Sequence, residues 1–220
     1  MVHKVFYTIQ GEGPDAGRPA IFIRLAKCNL RCYFCDTEFD TGEWRSLAEL
    51  TEITMLIARQ YHCHLVVITG GEPLLQNIVP FVRKINEFGI ACSVETAGTV
   101  FYPQLWELFN AARSINNNLI VCSPKTGRVA GELERIVGCW KYVVKAGEQD
   151  EFGLPNGSTQ MPGKTVPVFR PKAAYVPVYL NPMDEQDPEL NRANLHAVRD
   201  ACLKHGYTMG VQIHKLAEIE

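Results

Sequence analysis

Apolar and β-branched runs alternate along this chain with stretches whose apolar residues recur every three or four positions, and that alternation predicts most of its elements. "AIFIRLA" (20–26) reads as a strand feeding a loop that bears cysteines. Ser46 and Glu49 form a capping box, and Leu47, Leu50, Ile53 and Ile57 follow at helical spacing, which predicts a helix ending near Tyr61. The strand "LVVIT" (65–69) comes next. Ile78, Phe81, Val82 and Ile85 share a helical face that stops at Gly89, ahead of the strand "IACSVE" (90–95). The alternation continues with "PQLWELFNAARSI" (103–115) as helix, "LIVCS" (119–123) as strand and "GELERIV" (131–137) as a short helix. "WKYVV" (140–144) and "VPVYL" (176–180) read as strands, and "DPELNRANLHAVRDACLKHG" (187–206) as the last long helix before a strand "TMGVQIH" (208–214). The Gly- and Pro-rich stretch 146–172 reads as a long loop or partner-facing insertion rather than a linker.

Strands alternating with helices imply a parallel sheet covered by helices, open or bent into a barrel. A full eightfold barrel takes about 250 residues. The chain has 220, so the expectation is an α/β fold, a partial TIM-like barrel of parallel strands with outer helices, in one domain over 1–220. Ligands in such folds gather at the C-terminal ends of the strands. The chemistry-bearing residues fall there: the cysteine loop, "TGGEP" (69–73), "ETAGT" (95–99), "SPK" (123–125), "NPMD" (181–184) and "HK" (214–215).

Composition narrows the function classes. A 46% hydrophobic content suits a chain with a substantial core. Lys and Arg number 22 against 24 Asp and Glu, with no basic run, so no electrostatic footprint for nucleic acid is present. No stretch approaches 18 consecutive apolar residues, and the N-terminal residues lack the pattern of an export signal. These features predict a cytoplasmic protein with no membrane partner, whose eight cysteines are reduced thiols.

Cys28, Cys32 and Cys35 then need a chemical reason. A structural zinc site, completed by Cys63, His62 or His64, is one reading. Zinc knuckles come as separated C-x2-C pairs, whereas C-x3-C-x2-C packs three thiolates into eight residues with no fourth. Three thiolates can hold three irons of a 4Fe-4S cluster and leave one iron open to a further ligand. His62, His64, His196 and His205 read as surface or helix residues, and Cys92 and Cys122 as small buried hydrophobes.

The triplet after the first strand of a partial barrel, with "TGGEP" about 35 residues on, resembles the radical S-adenosylmethionine superfamily. Within it, "YTIQGEGPDAGRPAIFIRLAKCNLRCYFCDTEF" (7–39), "TGGEPLLQ", "VETAGT", "SPK", "NPMD" and "QIHK" are similar to the 7-carboxy-7-deazaguanine synthase family over nearly the whole chain. Activases of glycyl-radical proteins share the cluster and GGEP motifs without "QGEG" beside "CDT".

The resemblance implies conversion of 6-carboxy-5,6,7,8-tetrahydropterin to 7-carboxy-7-deazaguanine with loss of ammonia, on the route to queuosine. A 4Fe-4S cluster, S-adenosylmethionine and Mg2+ would serve as cofactors, a flavodoxin as electron donor, and a homodimer as the assembly. By the same resemblance Cys28, Cys32 and Cys35 ligate the cluster and Thr37 the magnesium. Phe34, Cys35, Asp36, Gly71, Ser123, Pro124, Lys125, Asn181, Pro182, Met183 and Asp184 bind S-adenosylmethionine. Asn181 stands where many members have Gln, one methylene longer. Ile9, Gln10, Gly11, Arg24, Thr69 and His214 bind the pterin, with Glu95 as a further contact to cofactor or substrate. No side chain is assigned to the chemistry itself, which falls to the cofactor-derived radical. The C-terminal "HKLAEIE" departs from the family pattern.

Overall fold

The computed structural model describes residues 1–35, 37–110, 117–160, 167–172 and 175–219. Eight strands form one open sheet in sequential order: β1 (Val2–Ile9), β2 (Pro19–Leu25), β3 (Leu65–Gly70), β4 (Ala91–Thr96), β5 (Leu119–Cys122), β6 (Cys139–Val144), β7 (Val178–Pro182) and β8 (Thr208–Met209). Strands β2 to β8 pair in parallel, as the partial-barrel expectation requires. The first strand was not expected. It pairs antiparallel with β2, Phe6 opposite Phe22, which the short connection over 10–18 permits without a crossover.

Alternation along the strands sorts two faces. Ile21, Ile23, Val66, Ile68, Val94, Ile120 and Trp140 join the main core beneath the helices. Ala20, Leu65 and Val67, with Phe22 and Ala91, form a smaller cluster on the opposite face. Towards the strand ends that second face turns polar at Thr69, Glu95 and Lys141, and this change sets the position of the site.

The covering helices are α1 (Leu47–Tyr61), α2 (Val79–Asn86), α3 (Leu105–Phe109) and α4 (Pro188–His205). Helix α1 begins as expected: Ser46 Oγ accepts from the Glu49 N–H at 3.2 Å, and the Glu49 carboxylate accepts from the Ser46 N–H at 2.7 Å. Such a cap contributes about 1 kcal/mol. Helix α4 starts on Asp187, whose carboxylate accepts from the Glu189 and Leu190 N–H groups, and ends at Gly206 with φ of 73°. Among the described residues no helix is long and apolar enough to cross a membrane.

Three elements differ from expectation. The helix over 131–137 is a single 3-10 turn, Leu133–Arg135, since seven residues are too few to offset helix nucleation. Of the helix over 103–115, residues 105–109 are helical and 111–116 lie outside the described residues. The last strand stops at Met209; the chain then turns into α5 (Ile213–Leu216), so His214 is helical. That turn is held by the Gly210 N–H on Leu180 O and the Ile213 N–H on Gly11 O, at 2.8 and 3.1 Å.

Candidate active site

A cleft of about 580 Å³ opens at the C-terminal ends of the strands. The cysteine loop supplies Cys28, Cys32, Phe34, Cys35 and Thr37 to its lining, and β3 supplies Gly70 and Gly71. Glu95, Ser123, Lys125, Pro182, Met183 and Asp184 line it too, so the predicted loops do meet at one rim.

Glycine at 71 is dictated by backbone packing. A Cβ there would overlap the Lys27 carbonyl and the Cys28 Cβ, so the Gly-Gly turn lies directly on the cysteine loop. The next residue, Glu72, is fully buried. Its backbone N–H donates to Lys27 O at 3.0 Å, and its carboxylate accepts from Thr96 Oγ1 at 2.7 Å and the Ala97 N–H at 2.9 Å. One carboxylate thereby ties the second loop to the third. Burial raises its pKa, against these hydrogen bonds.

All eight cysteines are free thiols. Cys28 and Cys32 are half-buried and Cys35 is exposed. Among the described residues no group of three His, Cys, Asp or Glu side chains is placed to share one metal ion. The donor set suits a 4Fe-4S cluster: three thiols of one loop, with no fourth cysteine beside them, could each take a different iron and leave one iron open. Cys63 is no fourth ligand. Its thiol donates to Pro19 O and Leu65 O at 3.5 and 3.4 Å, at the N-terminal ends of β2 and β3. The length of β2, roughly 20 Å at strand rise, separates it from the loop.

The SPK loop meets the cysteine loop directly: Lys125 Nζ donates to Ser123 Oγ at 2.8 Å and lies 5.5 Å from the Phe34 ring centroid. Burial lowers the Lys125 pKa. Asp184 accepts from Lys215 Nζ at 2.6 Å, and with the Gln186 N–H and Asn191 this holds its carboxyl at about 2.

The floor of the cleft is a charged network. Lys141 Nζ lies 2.6 Å from Glu12 and 3.5 Å from Glu95. Gln10 Nε2 and Thr69 Oγ1 donate to Glu95 at 3.0 and 3.3 Å, and Gln212 Nε2 donates to Glu12 at 2.7 Å. Burial alone would raise the Glu12 carboxyl, but the Lys141 ammonium and the hydrogen bonds of Lys141 and Gln212 bring it down to about 2. Burial opposes the charge on Lys141, and Glu12 and Glu95 outweigh it, raising its pKa.

Several predicted residues do not line the cleft. Gln10 and Thr69 reach it through Glu95, while Ile9, Arg24 and Pro124 lie outside the lining. Arg24 shares the register of Thr69, its guanidinium 5.0 Å from the Phe6 ring centroid. Gly11 and His214 pack against each other; a Cβ on Gly11 would overlap the imidazole, which explains why the C-terminal helix settles over "QGEG". Asn181 is fully buried, its amide turned towards Gly210 rather than the cleft, with both polar atoms lacking hydrogen bonds. Asp36 lies outside the described residues. Sequence reasoning missed Glu12, Lys141 and Gln212 in the lining, while Lys215 of the expected "HK" pair does line it. Lys141 left a signal: a lysine inside the apolar strand "CWKYVV" is a buried cation that demands carboxylates.

Residues 22–148, more than half of the chain, match the model of the Radical SAM superfamily. The chain is 40% identical over 226 residues to a 7-carboxy-7-deazaguanine synthase of Rhodospirillum rubrum, covering 99% of this chain and 92% of that protein. A Rickettsia prowazekii protein of the same name is 31% identical, covering 100% of this chain and 88% of its own length. Among solved structures, QueE from Escherichia coli superposes with a TM-score of 0.64 at 22% identity, over 94% of this chain and 91% of that one, a likeness of fold.

Proposed function

We propose that this chain, which belongs to the 7-carboxy-7-deazaguanine synthase family of the Radical SAM superfamily, contracts the ring of 6-carboxy-5,6,7,8-tetrahydropterin to give 7-carboxy-7-deazaguanine with loss of ammonia. The superfamily implies a 4Fe-4S cluster and S-adenosylmethionine. When bound, these supply the one-electron cleavage that yields a hydrogen-abstracting adenosyl radical. In this reading Cys28, Cys32 and Cys35 hold the cluster; Phe34, Gly71, Ser123, Lys125, Met183 and Asp184 border S-adenosylmethionine.

The observation that carries the substrate class is the floor beneath those thiols. Two carboxylates paired with one lysine, with Gln10 and Gln212 attached, offer acceptors and donors side by side. A pterin edge presents the complementary amide and amino groups. Arg24 shares the face of Thr69 and its planar fork suits a carboxylate, but its guanidinium packs on the Phe6 ring outside the cleft lining, so the side chain would have to swing inward to hold the substrate. A carboxylate so held would fix C6 in place, and proximity would select which hydrogen is taken. Thr37 would supply one oxygen to a magnesium ion, whose charge would stabilise the substrate carboxylate.

The family resemblance implies that the reducing electron comes from outside, from a donor of the flavodoxin class. That donor and the free thiols suit the cytoplasm, where we place the enzyme as a single domain acting in a homodimer. The test is anaerobic reconstitution followed by turnover with the tetrahydropterin, S-adenosylmethionine, reductant and Mg2+. Product and ammonia should appear one to one. An intact cluster that binds S-adenosylmethionine yet forms no product would remove the assignment.

A further inference from the structure

We propose that Thr159 and Gln160 are positioning residues that tune the cluster through two hydrogen bonds to the sulfur of Cys32, an inference that rests on Cys32 being a cluster ligand. Both belong to the long connection between β6 and β7, and they lie against the cysteine loop. Thr159 Oγ1 lies 3.0 Å and Gln160 Nε2 lies 3.1 Å from Cys32 Sγ. The backbone pins them from both sides: the Arg31 N–H donates to Gln160 Oε1 at 2.7 Å, and the Tyr33 N–H donates to Thr159 O at 3.3 Å.

Counting hydrogens fixes the direction of these bonds. Because Gln160 Oε1 accepts from a backbone N–H, its amide nitrogen must face the sulfur. One amide hydrogen goes to Cys32 Sγ and the other to Thr159 Oγ1 at 2.8 Å. The Thr159 hydroxyl hydrogen has two acceptors in reach, Cys32 Sγ and Lys125 O, the latter at 3.2 Å. Lys125 O already receives the Ser158 hydroxyl at 3.0 Å and the Thr159 N–H at 3.2 Å, which uses both of its lone pairs. The hydroxyl therefore turns to sulfur.

Two donors on one thiolate place partial positive charge where the added electron increases negative charge. They stabilise the reduced cluster more than the oxidised one and so raise its reduction potential. A stretch that in sequence read only as a loop or insertion thus acts on the cluster.

The test compares anaerobically reconstituted wild type with Thr159→Val/Gln160→Leu, Gln160→Leu and Thr159→Ser by iron and sulfide content and by redox titration followed by EPR. The double variant should keep its iron, yet at a fixed ambient potential its ratio of reduced to oxidised cluster should fall about tenfold, a shift of about 59 mV downward for a one-electron couple. Gln160→Leu should shift part of the way, and Thr159→Ser should match wild type. A full iron complement with an unmoved potential overturns the inference. If the double variant loses iron, Gln160→Leu decides by the same criterion, and loss of iron from Thr159→Ser as well would mean that these residues merely hold the loop, which also overturns it. Wild type that binds no cluster would instead refute the reading of Cys32 as a ligand.

Discussion

At the rim of the cleft, three thiols fall within eight residues of one loop, 28–35, with side chains from half-buried to exposed. At its floor, Glu12, Glu95 and Lys141 are separated by more than 40 residues from one another and meet with side chains 17%, 20% and 9% exposed. The rim is assembled by local sequence and, on the function proposed above, would be completed by a cofactor. The floor is assembled by strand order and completed by its own counter-charges. A charge out of water needs its partner in the folded protein itself, while a thiol can wait for iron. Damage to the rim should therefore appear as lost cofactor with the fold intact, and damage to the floor as lost stability.

The largest effect tests the rim. Replacing Cys28, Cys32 or Cys35 by Ala should abolish iron binding and product formation together, whereas Cys63→Ala, at the far end of β2 and β3, should leave the iron complement unchanged. Iron analysis after reconstitution reads both, and equal loss in Cys63→Ala would contradict the separation described above. The floor responds differently to Lys141→Met. Two mostly buried carboxylates would be left without their cation, at a cost of about 3–5 kcal/mol in urea unfolding. A cost under about 1 kcal/mol would mean that water in the cleft, rather than Lys141, compensates them.

The same contrast explains what could be read in advance. From β2 to β4 each strand and helix carries its own period, and the structure follows the expected order nearly residue by residue. The cysteine triplet, the Gly-Gly turn and the SPK loop are contiguous motifs, so they were legible as well. Contacts between remote segments were not. Nothing near Glu12 announces Lys141, 129 residues away, or Gln212, 200 away. Likewise Thr159 and Gln160 lie in a stretch without period, and only the fold carries them to Cys32. The antiparallel β1 escaped because a single strand at the edge has no helix beside it to set up the alternation. Period also failed at 208–214, where contact with Gly11 bends a strand-like sequence into α5.

A gentler probe of the floor is pH. The Glu12 carboxyl stands at about 2 in the folded protein against 4.5 when unperturbed. Its stabilisation is thus fully present above about pH 4.5 and is lost as pH falls through about 2, a change of roughly 3 kcal/mol at 1.36 kcal/mol per unit. Lys141 carries the opposite sign. Its pKa is raised, so its contribution is complete below the usual lysine value of 10.5 and is lost only as pH rises through the raised one. Between about pH 5 and pH 10 the pair should leave stability flat. Urea unfolding of wild type and Glu12→Gln should therefore differ most near neutrality and converge towards pH 2. A gap that stayed constant down to pH 2 would show that packing, rather than charge, is what Glu12 supplies.

The smallest expected effect lies where the two regions touch. Thr37 lines the cleft two residues beyond Cys35, on the rim, but the magnesium proposed for it would act on a substrate held at the floor. Its hydroxyl is one oxygen among six around such an ion, and water can take the vacated position. Thr37→Ala should therefore keep the full iron complement, bind S-adenosylmethionine as before and unfold within about 0.5 kcal/mol of wild type. What it should lose is the charge stabilisation the metal brings during ring contraction. We expect turnover at saturating Mg2+ to fall about tenfold, about 1.4 kcal/mol in barrier, and the response to added Mg2+ to flatten. Thr37→Ser, which restores the oxygen, should recover both. Product formation titrated against Mg2+ in the three proteins is the measurement. An Ala variant whose Mg2+ response matches wild type would move the metal away from the cysteine loop and leave Thr37 as a turn residue.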